Sequence, residues 1–404
     1  MKILLLSLIA LVFIINSFMK VLQMKHRKVP FPASVADIYN EDEYQTWKNY
    51  QNDKLKLRAF SSLVSFIITM ILFGFNIHSY VFNWVESLTG SLFFQIALVM
   101  VFVSLVDIYD LIFNYYNTFV IEEKYGFNKS TKALFFKDEF IKYLMTIVLG
   151  TSFIYLINTI FNVFNNIYLF LALSLGAVLV IVFLIPFLYP LFSKFFNKTT
   201  ALEEGSLKEK ILEYIKKIDF PVENIYVMNA SKRSSKSNAY FLGYGKKRRI
   251  VLYDTLITNM SEEQVVAVLA HEVGHAKHKD FIRRMPLSLL TIAILLISIF
   301  FFVSSKDIAT AFGFEESKFL FGVLLFIEIF PLIGILTNLL SNYFSRKYEY
   351  QADRFVATTY SKEQLNEALK LITKKDFSDL SPHPFIVLVN HSHPPLHKRI
   401  EATR

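Results

Sequence analysis

Seven apolar runs dominate this chain, at about 3–22, 60–83, 91–113, 140–161, 166–192, 286–304 and 319–341. Each is close to the ~20 residues that an α-helix needs to cross the hydrocarbon core of a bilayer. No water is available there to satisfy backbone N–H and C=O groups, so runs of this length fold as membrane-spanning helices. Of the 404 residues 53% are hydrophobic, an apolar load that a soluble chain of this length rarely carries. The sequence has no cysteine. Disulfides and thiolate metal sites are therefore excluded, and any metal falls to His, Asp or Glu.

The first run follows Lys2 and has the look of a signal peptide. The stretch Asn16-Ser17-Phe18-Met19-Lys20 offers no A-x-A-like cleavage site, so the run is read as a retained span. Loop charge then sets orientation. Lys20, Lys25, Arg27, Lys28, Lys48, Lys54, Lys56 and Arg58 follow the first run, and Lys124, Lys129, Lys132 and Lys137 follow the third. The loops at 84–90 and 162–165 carry no Lys or Arg, and 305–318 carries only Lys306 and Lys318. The positive-inside rule puts the N-terminus outside and the C-terminus in the cytosol. The same rule accounts for the formal charge of +9 without a nucleic-acid partner.

Residues 1–192 are thus expected to form a membrane domain of five spans with cytosolic loops. Residues 193–404 form a second, cytosolic domain interrupted by the last two spans. Within it Ile225–Met228, Asn238–Phe241 and Ile250–Tyr253 read as short strands, with a hairpin tip at Lys246-Lys247-Arg248-Arg249. Ser261-Glu262-Glu263-Gln264 has the form of a capping box, so a helix starts there and runs through Val265–Ala270 into a pair of histidines.

Those histidines carry the chemistry. His271 and His275 are four apart, so both imidazoles leave one helix face and can grip one metal ion. Glu272 can reach a water in the open coordination position. Zinc lowers the pKa of such a water towards ~7, and the carboxylate can take its proton. Gly274 is expected to leave room beside the metal. The pattern H-E-x-x-H alone is a moderate signal; the capped helix leading into it strengthens it. A third protein ligand is needed, and Glu349, which shares a helix face with Asp353, is the candidate. Asp353 would then accept the second N–H of a ligating histidine. Spacing alone fits a pair of solvated carboxylates equally well. Four of the nine histidines, His383, His391, His393 and His397, lie near the C-terminus. They read as incidental loop residues, as a second metal site, or, for His393, as an oxyanion donor.

Together, His271–His275, Ser345-Arg346 with Glu349–Asp353, and His393-Pro394-Pro395 with Arg399 resemble the CaaX prenyl protease family, integral-membrane gluzincins. Asn117–Lys129 resembles that family's loop between spans three and four, and Ser235–Phe241 and Ile250–Thr255 its strands beside the active site. The resemblance covers most of the chain. It implies a mainly α fold, with seven transmembrane helices around a barrel-like intramembrane chamber and a cytosolic zinc-protease domain holding a small β-sheet. It implies one Zn²⁺ per chain on His271, His275 and Glu349, with Glu272 as base, Asp353 in support, and His393 and Arg399 as active-site groups. Asn238, Ala239, Tyr240 and Phe241 would bind extended substrate along an edge strand. Prenylated or membrane-associated peptides and the lipid bilayer are the implied partners, and the molecule is read as a monomer. Glu328, ionisable in mid-span, would line water or bond between helices. The chain is shorter than eukaryotic members and lacks a recognisable endoplasmic-reticulum retrieval signal, and its Lys, Ile, Asn and Phe content hints at a bacterial plasma membrane, with the endoplasmic-reticulum membrane as the alternative for a eukaryotic source. A bacterial membrane-protein quality-control protease and a catalytically inactive scaffold are the competing readings; retention of Glu272 speaks against the second.

Overall fold

The computed structural model describes residues 1–404 except 28, 165, 243–247 and 404, with the side chains of 185–187, 189–195 and 242 also left aside. Among the described residues, seven helices are long and apolar enough to cross a membrane: Lys2–His26, Glu41–Gly74, Leu92–Glu122, Lys132–Phe164, a fifth beginning at Ile167, Asp280–Ser304 and Phe319–Thr359. Each packs against the next in chain order, and the seventh returns to the first, so the spans close into a ring. Only 6% to 17% of the residues in the apolar windows of the first six spans are buried. A solid bundle buries a continuous face of every helix; this ring is hollow.

Its two ends are closed differently. At one end a short helix, Ile77–Leu88, and the connection before the seventh span pack an aromatic cap in which Phe73, Phe82, Phe312, Phe314 and Phe321 touch ring to ring. At the other end sits the polar domain. The loop after the first span meets the C-terminal segment there: Val35, Ile38 and Trp47 pack on Leu380, Leu396 and Ile400, and Trp47 Nε1 donates to the Ser378 carbonyl at 3.0 Å.

Two boundaries differ from the sequence reading. The second run does not extend to residue 83. It breaks at Asn76, whose left-handed conformation (φ 56°) an asparagine tolerates better than most residues, and the remainder forms the short cap helix. Lys2 Nζ donates to the Gly74 carbonyl and to Asn76 Oδ1, both at 2.7 Å, which satisfies the exposed end of the second span. The third span continues past 113, because Asn117–Glu122, read as loop, is a π-helical extension. Glu122 there accepts from Tyr50 at 2.9 Å and Lys54 at 2.5 Å, joining the third span to the second.

The polar domain holds one four-stranded sheet of β1 (Thr199–Ala201), β2 (Asn224–Met228), β3 (Ala239–Leu242) and β4 (Arg249–Tyr253), in the order β1-β2-β4-β3. β2 and β4 run parallel; the outer two pairs are antiparallel. β1, three exposed residues without an alternating pattern, had no sequence signal. Lys246 and Lys247 of the hairpin tip lie outside the described residues, and Arg249 already belongs to β4.

Under the sheet runs the motif helix, Glu262–Lys277. Ser261 caps it as read: its side chain accepts from Gln264 N–H while Gln264 accepts from Ser261 N–H. Its apolar face, Val265, Val266, Leu269, Ala270 and Val273, is almost wholly buried against the sheet and two flanking helices, Ser206–Lys217 and Lys362–Lys375. Burying each of these Val and Leu side chains stabilises by roughly 1.5–3 kcal/mol. The motif helix is therefore part of the core, which fixes whatever it carries.

Span six and span seven touch where Gly322 faces the backbone of Phe302 and Val303; a Cβ at 322 would lie 2.7 Å from Val303 Cα. Gly322→Ala is expected to lower the Tm in detergent, at a cost of about 1–3 kcal/mol. Gly334→Ala on the same helix meets open space and should leave Tm unchanged or raise it.

Candidate metal centre

The motif helix crosses the polar end of the seventh-span helix at Gly274. A Cβ there would sit 3.1 Å from Ala352 Cα and 3.3 Å from the Cβ atoms of Ala352 and Phe355. The glycine thus serves helix contact, which corrects its expected role of leaving room for substrate. The close crossing brings the seventh-span carboxylates to the motif histidines.

His271 Nε2 lies 3.2 Å from His275 Nε2, His271 Nε2 lies 3.3 Å from Glu349 Oε2, and His275 Nε2 lies 3.3 Å from Glu349 Oε1. These are the three residues whose ligand atoms all fall within 4.8 Å of one another; among the described residues no second such group occurs, at the C-terminal histidines or elsewhere. Outer carboxylates hold both rings: Asp353 Oδ1 is 3.0 Å from His271 Nδ1, and Asp280 Oδ2 is 2.8 Å from His275 Nδ1. A carboxylate can only accept here, so each Nδ1 carries a proton and each Nε2 turns its lone pair towards the same point.

That arrangement fits a cation. Four-coordinate bonds of ~2.1 Å place neighbouring ligand atoms ~3.4 Å apart, close to the three observed separations. Glu349 is buried, and its Oε2 has no hydrogen-bond partner. Arg399 Nη1 lies 3.7 Å from that oxygen, an ion pair that offsets part of the cost of a buried carboxylate without a hydrogen bond, and a cation between Glu349 and the imidazoles would remove the rest.

The electrostatics agree. Burial opposes charge on His275, but Asp280 and Glu349 outweigh it and raise the imidazole to about 9 while no cation is bound, so a metal gains the Nε2 lone pair by displacing the second ring proton. Burial pushes Glu272 above the usual carboxylate range, partly offset by His271 and His275.

The other sequence-predicted residues gather around this trio. His393 Nε2 is 3.3 Å from Glu349 Oε1, with its side chain 66% exposed, so it approaches from the open side. Arg399 is buried behind the ligands. It grips Asp353 with two hydrogen bonds, 2.9 and 2.6 Å, and its Nη2 is 3.3 Å from His271 Nδ1. Asn238 immediately precedes β3, its carbonyl accepting from Tyr253 N–H at 3.0 Å. Ala239, Tyr240 and Phe241 lie in β3, at one edge of the sheet and against the motif helix. Glu328 is half-buried and lies near Thr69 of the second span, so it faces a neighbouring helix. His383 caps the helix Pro384–Asn390 through Nδ1.

Asp280 was missed. Its signal was an acidic residue five positions after His275; what brings it back is the left-handed turn at Lys279 (φ 56°), which the sequence does not announce.

Residues 201–404 match the family model Peptidase family M48, and residues 3–198 match the model described as CAAX prenyl protease N-terminal, five membrane helices. Fold and site together therefore define an integral-membrane metallopeptidase. The chain belongs to peptidase family M48. It is 31% identical to a CAAX prenyl protease 1 homolog of Oryza sativa subsp. japonica, over 97% of this chain and 94% of that protein. It is 29% identical to the Homo sapiens CAAX prenyl protease 1 homolog, over 92% and 88%. The crystal structure of S. mikatae Ste24p superposes with a TM-score of 0.91 at 26% identity, covering 100% of this chain and 98% of that one.

Asp280→Ala should weaken metal affinity about 10–100-fold, as loss of a carboxylate behind a ligating histidine does. Glu349→Ala should abolish stoichiometric metal retention. Metal analysis after dialysis against a graded chelator series checks both, and wild-type retention by Glu349→Ala contradicts its place as a ligand.

Proposed function

We propose that the molecule is a zinc endopeptidase that cuts prenylated CaaX-type proteins near their C-terminus. The observation that carries this reading is the His271–His275–Glu349 trio, buried at His271 and Glu349 and half-buried at His275, next to a half-buried Glu272, at one end of a hollow ring of spans. Two nitrogens and one carboxylate oxygen, with no thiolate, form a donor set suited to catalytic zinc. The substrate class is supported by the relatives, which carry the name CAAX prenyl protease 1. By the distribution of loop cations, the site end of the ring faces the cytosol.

His271, His275 and Glu349 would hold the zinc, which when bound acidifies water and polarises a carbonyl. Glu272 accepts the proton of the attacking water and delivers it to the leaving amine. Its raised pKa suits both halves of that task, since a base closer to neutrality also returns its proton more readily. Substrate in extended form pairs with the outer edge of β3 at Asn238–Phe241, so that backbone hydrogen bonds set its direction. His393, coming from the open side, donates to the carbonyl oxygen as it gains charge; such donors contribute ~3–4 kcal/mol to the transition state. Asp353 and Asp280 fix the ligand tautomers, and Arg399 holds Asp353 in place.

Glu272→Gln should keep wild-type zinc content while losing nearly all turnover. Mass spectrometry of products from a farnesylated CaaX peptide, with and without chelator, should show release of a short C-terminal fragment only when metal is present. Chelator-resistant cleavage, or full turnover by Glu272→Gln, contradicts the assignment.

A further inference from the structure

The first two spans each carry a polar stripe near the site end. On the first, Asn16, Lys20, Gln23 and Arg27 recur at intervals of three and four residues; on the second, Gln51, Arg58 and Ser62 share a face. Charged stripes facing hydrocarbon are expensive. Here both stripes turn onto one cavity of ≈ 580 Å³ whose remaining wall is the segment from Asp379 to His391. A cavity of that size is in the range of small-ligand sites.

Its charge is unbalanced. Three cations, Lys20, Arg27 and Arg58, face one carboxylate, Asp379, which already accepts from the Gln23 side chain and from Ser381 N–H. Lys20 Nζ donates to a backbone carbonyl, that of Arg58, at 3.3 Å, and Arg27 to the side-chain oxygens of Asn52 and Gln51. Arg27 Nε is buried with no partner. Among the described residues none of the three cations has a carboxylate within 4.0 Å.

The cavity is also tied to the metal centre. The His391 carbonyl in its wall accepts from Arg346 at 2.7 Å, and Arg346 lies one helical turn before Glu349. Two residues beyond His391, His393 reaches Glu349.

We propose that this cavity binds the C-terminal α-carboxylate of the peptide substrate, with Lys20 and Arg58 as the anion-binding pair. The inference rests on the endopeptidase reading above. Cutting near a C-terminus leaves a tail of a few residues beyond the metal, and three extended residues reach only ~10 Å. The free carboxylate therefore comes to rest within about that distance of the metal ligands, and the His391–His393 segment joins the cavity wall to them. A cation pair waiting there sets which bond meets the metal and selects chains that end over chains that continue.

The test uses the full-length enzyme in lipid nanodiscs and one farnesylated CaaX peptide, made with a free C-terminal acid and as the C-terminal amide. For the wild type, amidation should raise KM by about 10-fold or more, the loss expected for charge-assisted hydrogen bonds. In the Lys20→Gln/Arg58→Gln double variant the acid should fall to the level of the amide, and the amide should be cut as by the wild type. Zinc content and Tm equal to wild type show that the variant is folded, and a single Arg58→Lys replacement should restore most of the preference for the acid. Equal KM for acid and amide in the wild type overturns the proposal and leaves the endopeptidase reading intact. Equal loss on both peptides, accompanied by loss of stimulation by anionic lipid, assigns the cations to headgroups and also overturns it. Failure of the wild type to cut either peptide overturns the endopeptidase reading itself, and this inference with it.

Discussion

The structure turns on one close crossing, where the motif helix meets the polar end of the seventh span at Gly274 and Ala352. Only at that distance can Glu349, from one helix, face His271 and His275 from the other at 3.3 Å. The crossing is held from both sides. The sheet and its flanking helices bury the motif helix, and the ring of spans anchors its partner. A buried carboxylate oxygen with no hydrogen-bond partner is the residual cost, which a bound cation removes. Core packing, membrane architecture and metal chemistry therefore meet in one contact of a few ångströms.

The hollow ring gives that contact its setting. Spans that close in sequence order leave an interior whose walls are accessible, with an aromatic cap at one end and the metal centre at the other. A site placed at the mouth of such a chamber sees peptide that enters the membrane region. The polar stripes of the first two spans line a cavity near the site end that is built for charge as well as for apolar groups.

Much of this was legible in the residues, and what escaped did so for physical reasons. The seven spans were readable because bilayer thickness dictates length, and the capped helix with its paired histidines because helical period dictates which side chains share a face. The break at Asn76 was not readable: the apolar run continues across it, and only the backbone conformation changes. β1 has too few residues to carry a period. Gly274 was readable as important but for the wrong cause, since its neighbour Ala352 is distant in sequence. Asp280 depends on a left-handed turn at a lysine, a conformation that residue type does not signal. Closure of the ring, and the juxtaposition of Lys20 with Arg58, are tertiary facts that local patterns do not contain.

The central claim is that two sequence-distant helices share one divalent ion. Anomalous diffraction from crystals of the full chain, recorded on either side of the zinc absorption edge, addresses it directly. A single edge-dependent peak bonded to His271 Nε2, His275 Nε2 and Glu349 at ~2.0–2.2 Å is the predicted result. A peak held by other residues, or zinc in the crystals with Glu349 turned away from it, would contradict the account.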